Sequence, residues 1–297
     1  CCPYCLSRTQ CKGTPKEKTH WVHVFVTFTL ITEAFTIPIY IYPLKAQQVN
    51  NNQTDEKLKQ ECELLGSRIV LPKIRKKHPR LNMIFLGDAL YANKPFIELC
   101  KQLKMDYVIV LKENLKTVNK KCDELATHPL YQNSYSLKTK EETASWFNGV
   151  AVDANTQTNI LRYKEKDPTG YSGQWIVSKR ISKGNCLRLV KIGRTRWDHE
   201  DIHNTCKNRG FEIKHDMART CPNLLIVWKL ITFIAFSLFE LFRCTTLAII
   251  YRKSRSIMKF ARDMLGQLIN KAWAVIANSP ILKQKKVQFR FRFESGP

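Results

Sequence analysis

Apolar positions along the chain recur at two periods, and the changes between them mark out its elements. Val22–Ile31 and Ala34–Tyr42 are rich in Val, Ile, Thr, Phe and Tyr and are separated by Thr32-Glu33, the pattern of two short paired strands. After Pro43 a polar stretch, Gln47 to Asp55, reads as a loop. Lys57–Leu65 then carries Leu58, Cys62 and Leu65 at helical spacing, a helix that Pro72 interrupts or ends. Asn82–Asp88 is an apolar run closing on Gly87 and Asp88, which predicts a buried strand with a carboxylate at its C-terminal end. Pro95 suits the first turn of a helix reaching Leu103, with Phe96, Leu99, Cys100 and Leu103 on its inner face, and Tyr107–Leu111 is a second buried strand. Strand, helix and strand so close together form a βαβ unit, whose parallel strands end at one edge. Catalytic groups gather at that edge, and Asp88 stands there, at a position that equally suits a turn or a helix cap.

A further helix is predicted over Leu115–Leu125. From His128 to Val190 the period shortens: Trp146-Phe147, Val150–Val152, Asn159–Tyr163, Gln174–Val177 and Cys186–Val190 are short apolar or alternating runs split by Gly, Asn, Asp and Pro. This is a β-rich insertion. Pro222 onward predicts a long buried helix, Ile257–Ile276 an amphipathic one, and Val287–Phe293 alternates aromatic and basic residues as a strand does. Leu224–Ile250 is interrupted by Lys229, Glu240 and Arg243, which favours a core helix over a membrane span.

Charge narrows the partners. Lys and Arg outnumber Asp and Glu 49 to 25, a net charge of +24 spread over most of the length, which points to a polyanion, nucleic acid before an anionic membrane. The run Lys73–Arg80 reads either as a phosphate-contacting patch or as a solvated face. Eleven cysteines with no leader before them indicate reduced thiols in a cytosol. Cys2 and Cys5 form a CxxC followed by Cys11, His20 and His23; zinc is one reading, and a pair of free thiols in a loop is the other.

The stretch with most chemistry is Gly193–Lys207. Read as one helix at about 100° per residue, it puts Arg196, Glu200, His203 and Lys207 on one face, a carboxylate between cations. Spacing alone also fits an ordinary surface ion pair at i,i+4.

Leu86-Gly-Asp88-Ala-Leu-Tyr-Ala-Asn-Lys-Pro-Phe96-Ile, then Asp106-Tyr-Val-Ile-Val-Leu-Lys112-Glu, then Gly193-Arg-Thr-Arg-Trp197 with Glu200, resemble the catalytic half of a bacterial insertion-sequence DDE transposase. That group carries a β-strand insertion before its last acidic residue and a signature of Tyr, two residues, Arg, three residues, Glu, six residues, Lys. Arg196, Glu200 and Lys207 meet its last three positions, whereas Gly193 stands where Tyr is expected.

The resemblance implies an α/β fold: an RNase H-like mixed sheet flanked by helices, with the β-rich insertion before the last catalytic helix. The implied division is a core's first part over 1–127, the insertion over 128–190, the catalytic and buried helices over 191–250, and a basic C-terminal helix and strand over 251–297. It further implies that Asp88 and Glu200 bind Mg²⁺ or Mn²⁺ and that Arg196 and Lys207 contact DNA phosphates. Transposon ends and target DNA are the partners, with self-association on DNA and no membrane. The group's first catalytic Asp lies on a strand upstream of the Trp21–Tyr42 pair; only the loop with Cys2 and Cys5 is expected there, and Glu33 at a hairpin turn is no substitute. The chain is therefore expected to be an N-terminally truncated transposase, inactive alone, or else a DNA-binding remnant that competes or assembles with an intact enzyme.

Overall fold

Successive side chains of Tyr107-Val108-Ile109 leave opposite faces of one sheet, and both faces are dry. In a computed structural model of the protein, residues 5–11, 13–44, 55–112, 115–127, 134–137, 142–167, 169–211, 213 and 222–244 are described, with single residues between 259 and 278. The main sheet has six strands: β5 (Ile84–Gly87), β6 (Asp106–Val110), β7 (Ser134–Leu137), β8 (Glu142–Ala151), β9 (Gln157–Glu165) and β10 (Ser172–Val177). Their order is β5-β6-β10-β9-β8-β7. Only β5 and β6 are parallel, so the sheet is mixed, and the runs predicted between His128 and Val177 continue the βαβ unit through the β6–β10 pairing.

One face holds Tyr107, Ile109, Phe147, Ile160 and Ile176 against α2 (Lys94–Gln102) and α3 (Lys116–Thr127). The other holds Val108, Trp146, Leu161, Tyr163, Trp175 and Val177 against α4 (Cys186–Arg194). A sheet covered on both sides in this way is a mixed sheet flanked by helices, as expected.

Two hairpins stand apart from this sheet, β1 (Cys5–Gln10) with β2 (Lys18–His23), and β3 (Phe25–Ile31) with β4 (Thr36–Pro43). The pair predicted to turn near Thr32-Glu33 is β3–β4, but Val22 and His23 belong to β2. The stretch from Cys5, expected as a loop, is the first hairpin, with Cys5 opposite His23. Helix α1 (Asp55–Lys77) joins β3–β4 to the main sheet: Gly66 packs so close to β3 that a Cβ there would lie 2.6 Å from Val26. Phe28 reaches both the hairpin core and the main core.

Three predicted elements change. The helix that Pro72 was expected to interrupt or end runs through it to Lys77. An interior proline forfeits a hydrogen bond and costs about 3 kcal/mol, but Val70, Leu71 and Ile74 are buried on both sides of it and hold the next turn in place. Cys186–Val190 is helix, because the longer window buries Cys186, Leu189, Val190 and Gly193 at i, i+3, i+4 and i+7. The helix from Pro222, α6 (Pro222–Cys244), is buried on one side only, against β4 and α5 (Trp197–Asn208) through Phe233 and Phe236. It is long and apolar enough to cross a membrane by length and composition. Composition revealed its apolarity and not which residues a neighbour covers.

The aromatic trio Phe85, Tyr91 and Phe96, with centroids 4.7 to 5.2 Å apart, fastens α2 over the end of β5. Phe96→Ala is expected to cost about 3–5 kcal/mol, read as a lower urea midpoint with an unchanged slope; a loss below 1 kcal/mol would show that this packing is dispensable.

Candidate active site

Asp88 follows β5 at the C-terminal end of the parallel pair, the edge anticipated for it. Its backbone is extended, and Oδ1 accepts a hydrogen bond of 3.0 Å from the Leu90 amide, capping the 3-10 turn Ala89–Tyr91. Cap and exposed strand-end carboxylate are thus one residue. Tyr91 anchors that turn, its ring against Phe85 and Phe96 and its hydroxyl 2.9 Å from Ser67 of α1. Burial pushes the Tyr91 phenol well above its ordinary range, so it stays protonated.

Glu200 lies in the first turn of α5, which Arg196 begins as the residue before Trp197. Arg196 Nη1 donates to Glu200 Oε1 at 2.6 Å, and the guanidinium sits 4.7 Å from the Trp197 ring centroid. The arginine is mostly covered, at 19% side-chain exposure, whereas Glu200 is 44% exposed, so the cation positions an accessible carboxylate. Gly193–Lys207 is not one continuous helix: α4 ends at Arg194 and α5 starts at Trp197. Arg196 keeps helical backbone angles, which preserves its i,i+4 reach to Glu200. Lys207 is exposed in the last turn.

The departure at Gly193 has a steric cause. A Cβ there would lie 2.5 Å from Trp175 Nε1, so the indole of β10 fills the space a side chain would need. No tyrosine fits at this backbone position.

His203, expected only as a neighbour of Glu200 on the helix face, is an anchor, and His199 is a second one that the pattern did not single out. His199 Nδ1 is 2.6 Å from Thr29 Oγ1, and His203 Nε2 is 2.8 Å from Thr27 Oγ1. Four helical residues rise about 6 Å and two strand residues about 6.6 Å, so an i,i+4 pair on α5 matches an i,i+2 pair on β3. That match was readable as two histidines and two alternating threonines, but not which elements would meet. Burial, with Arg196 nearby, lowers the basicity of His199; burial, with His199 and Lys207, lowers His203 to about 4. Both rings are neutral at pH 7.

The structure therefore joins Arg196 to Glu200, while Asp88 and Glu200 ride on different supports, the main sheet and the β3–β4 hairpin. Consecutive residues of α1 touch both: Gly66 meets Val26 of the hairpin, and Ser67 meets Tyr91 beyond Asp88. Asp88 and Glu200 each commit one oxygen to a protein partner. Hard divalent cations take oxygen ligands, and Mg²⁺ is commonly held by one or two carboxylates plus substrate phosphates, a donor set these residues fit. Among the described residues no group of three His, Cys, Asp or Glu stands together at metal-binding range. For the zinc reading, Cys2 lies outside the described residues, and Cys11 is an exposed free thiol.

A family model described as "Transposase DDE domain" matches residues 45–236, about two thirds of the chain. The chain belongs to the transposase DDE domain family. A search of curated proteins finds no match. The DDE match takes in Asp88, Arg196, Glu200 and Lys207 and leaves the β3–β4 hairpin outside, although α5 of the DDE domain is fastened to it. DNA is the partner the family implies, and divalent metal ions are its general requirement.

Because the folded state holds both histidines neutral, the unfolded chain binds more protons below about pH 6.5. Their contribution is complete above that pH and is expected to fade as pH falls toward about 4, the value for His203. Stability measured in urea across this window should slope downward, and His199→Asn with His203→Gln should flatten that slope; an unaltered slope would contradict the anchoring. Gly193→Ala is expected to destabilise by about 1–3 kcal/mol through overpacking on Trp175, and thermal melts showing no loss would refute the steric account.

Proposed function

We propose that this DDE domain carries two of the three carboxylates of a DNA strand-cleavage and strand-transfer site, Asp88 and Glu200, on an RNase H-like core. The supporting observation is the Arg196–Glu200 pair at the start of α5, in a chain whose first parallel strand is followed directly by Asp88. Residues 1–127 and 191–250 are read as the core and 251–297 as a basic extension, with 128–190 an insertion whose strands β8–β10 extend the same sheet through β6. Among the described residues β5 is the last strand at one end of the main sheet.

In-line displacement at a phosphodiester needs a nucleophile oxygen, a stabilised leaving oxygen and screened phosphate charge. Mg²⁺ or Mn²⁺, when bound, polarises the phosphoryl group and lowers the pKa of an attacking water. The chain's part is to orient two carboxylates and to set cations beside them. Arg196, held by Glu200 and Trp197, neutralises phosphate close to the acid, and Lys207 extends the cationic track along α5. Neutral His199 and His203 add no charge there and fix the helix.

A site with the two carboxylates Asp88 and Glu200 alone is expected to bind DNA without cleaving it. The non-catalytic reading, a DNA-binding form that competes or assembles with a complete transposase, is favoured for this polypeptide by the lack of a three-ligand cluster among the described residues and by its charge of +24.

Plasmid incubated with the chain and Mn²⁺ or Mg²⁺ should remain supercoiled, while mobility shifts show salt-dependent binding. Arg196→Ala with Lys207→Ala should lessen the slope of log affinity against log salt by about two. Metal-dependent nicking that disappears in Glu200→Ala would mean that the chain's own carboxylates suffice.

A further inference from the structure

The turn between β9 and β10 comes up at the same edge of the main sheet as Asp88. Strand β10 runs antiparallel to β6, with Trp175 opposite Val110 and the Leu111 amide donating to the Gln174 carbonyl at 2.8 Å, so the residues before Gln174 extend past the ends of the parallel strands. Tyr171 is one of them. Strands β5 and β10 flank β6, which puts the strand of Tyr171 about 10 Å from the one that Asp88 follows. Helix α4 ends beside it: the Arg194 guanidinium lies 4.4 Å from the Tyr171 ring centroid, and two residues further on stands Arg196, the partner of Glu200.

This cluster is held from within. Glu165 Oε2 accepts from the Tyr171 amide at 2.9 Å, and Oε1 accepts from Arg194 Nη1 at 3.0 Å and from the Tyr163 hydroxyl at 3.3 Å, so both carboxylate oxygens are used inside the fold. Asp167, the other acid of the turn, accepts from the amide and hydroxyl of Thr169. The Tyr171 ring leans on Trp175, with centroids 6.3 Å apart, where two glycines leave room. A Cβ on Gly173 would lie 2.6 Å from that indole and 2.9 Å from the Tyr171 hydroxyl, and one on Gly193 would lie 2.5 Å from the indole. A phenol thus stands beside the last turn of α4, although residue 193 carries no side chain.

What the cluster leaves over is donors. Among the described residues the Tyr171 hydroxyl has no hydrogen-bond partner, and it is not sealed from water. Arg194 commits Nη1 to Glu165, and its side chain is 47% exposed. Burial raises the Tyr171 phenol above its ordinary range against the pull of Arg194 and Arg196, so it keeps its proton and can donate. A neutral donor beside guanidinium groups suits an anionic oxygen. We propose that Tyr171 and Arg194 bind a phosphodiester oxygen of a DNA strand, beside the phosphate that Arg196 neutralises; this rests on the reading of Asp88 and Glu200 as a DNA site.

The full chain titrated with a short mixed-sequence DNA duplex, by mobility shift over a range of salt, provides the test. Tyr171→Phe keeps the ring and removes only the hydroxyl, and it should weaken binding about 3- to 10-fold with the salt slope and the urea midpoint both unchanged. Arg194→Gln should lessen the slope of log affinity against log salt by about one, and Tyr171→Phe should cost less in that background than alone. Parent-like affinity in Tyr171→Phe would overturn the assignment, as would an unchanged slope in Arg194→Gln or a lower urea midpoint in Tyr171→Phe, which would mean that the hydroxyl is engaged within the fold. Should these variants match the parent while Arg196→Ala with Lys207→Ala still loses slope, only the Tyr171–Arg194 site falls. A parent chain that does not bind the duplex would remove the DNA site itself and this one with it.

Discussion

The placement of Glu200 depends on two hydrogen bonds between a helix and a strand. His199 and His203 each meet a threonine of β3, at 2.6 and 2.8 Å, and because these bonds are about one helical turn apart they set both the axial position and the rotation of α5. Glu200 lies next to His199 in the chain, so its direction follows from that rotation, and Arg196 then fixes its side chain. Both rings are removed from water and act as neutral groups. The anchoring is therefore a matter of hydrogen bonding and burial, with cationic character left to Arg196 and Lys207.

Helix α1 carries this placement across to the sheet. At Gly66 the absence of a side chain lets the hairpin approach, and at Ser67 a hydroxyl reaches Tyr91, whose ring is packed under the turn that Asp88 caps. The two carboxylates are thus tied to one helix from opposite directions. Pro72 inside that helix is tolerated because buried residues on both sides hold its turns.

Much of this arrangement was legible before the fold. The βαβ unit was readable because Asn82–Asp88 and Tyr107–Leu111 are continuous apolar runs around a helix with a clear inner face, and Asp88 took its edge position from that topology. The i,i+4 relation of Arg196 and Glu200 was local and survived the break at Thr195. Long-range partners were not legible: nothing near Gly193 announces the Trp175 indole, and nothing near His199 announces Thr29. Cys186–Val190 reads as a short apolar run because five residues, four of them apolar, are too few to show a helical period, which only the next turn reveals. The apolar content of α6 was evident, but its two faces differ in what covers them, which composition does not encode. The C-terminal alternation at Val287–Phe293 lies outside the described residues.

The proposal that Asp88 and Glu200 together hold one divalent ion is open to a direct test. Fe²⁺ bound in place of Mg²⁺, with ascorbate and peroxide, cuts a polypeptide backbone beside its ligands. The account predicts two sets of cuts, one near Asp88 and one near Glu200, both suppressed by excess Mg²⁺ and both lost in either single alanine variant. Cuts at only one of these places, or cuts that persist without Glu200, would contradict it.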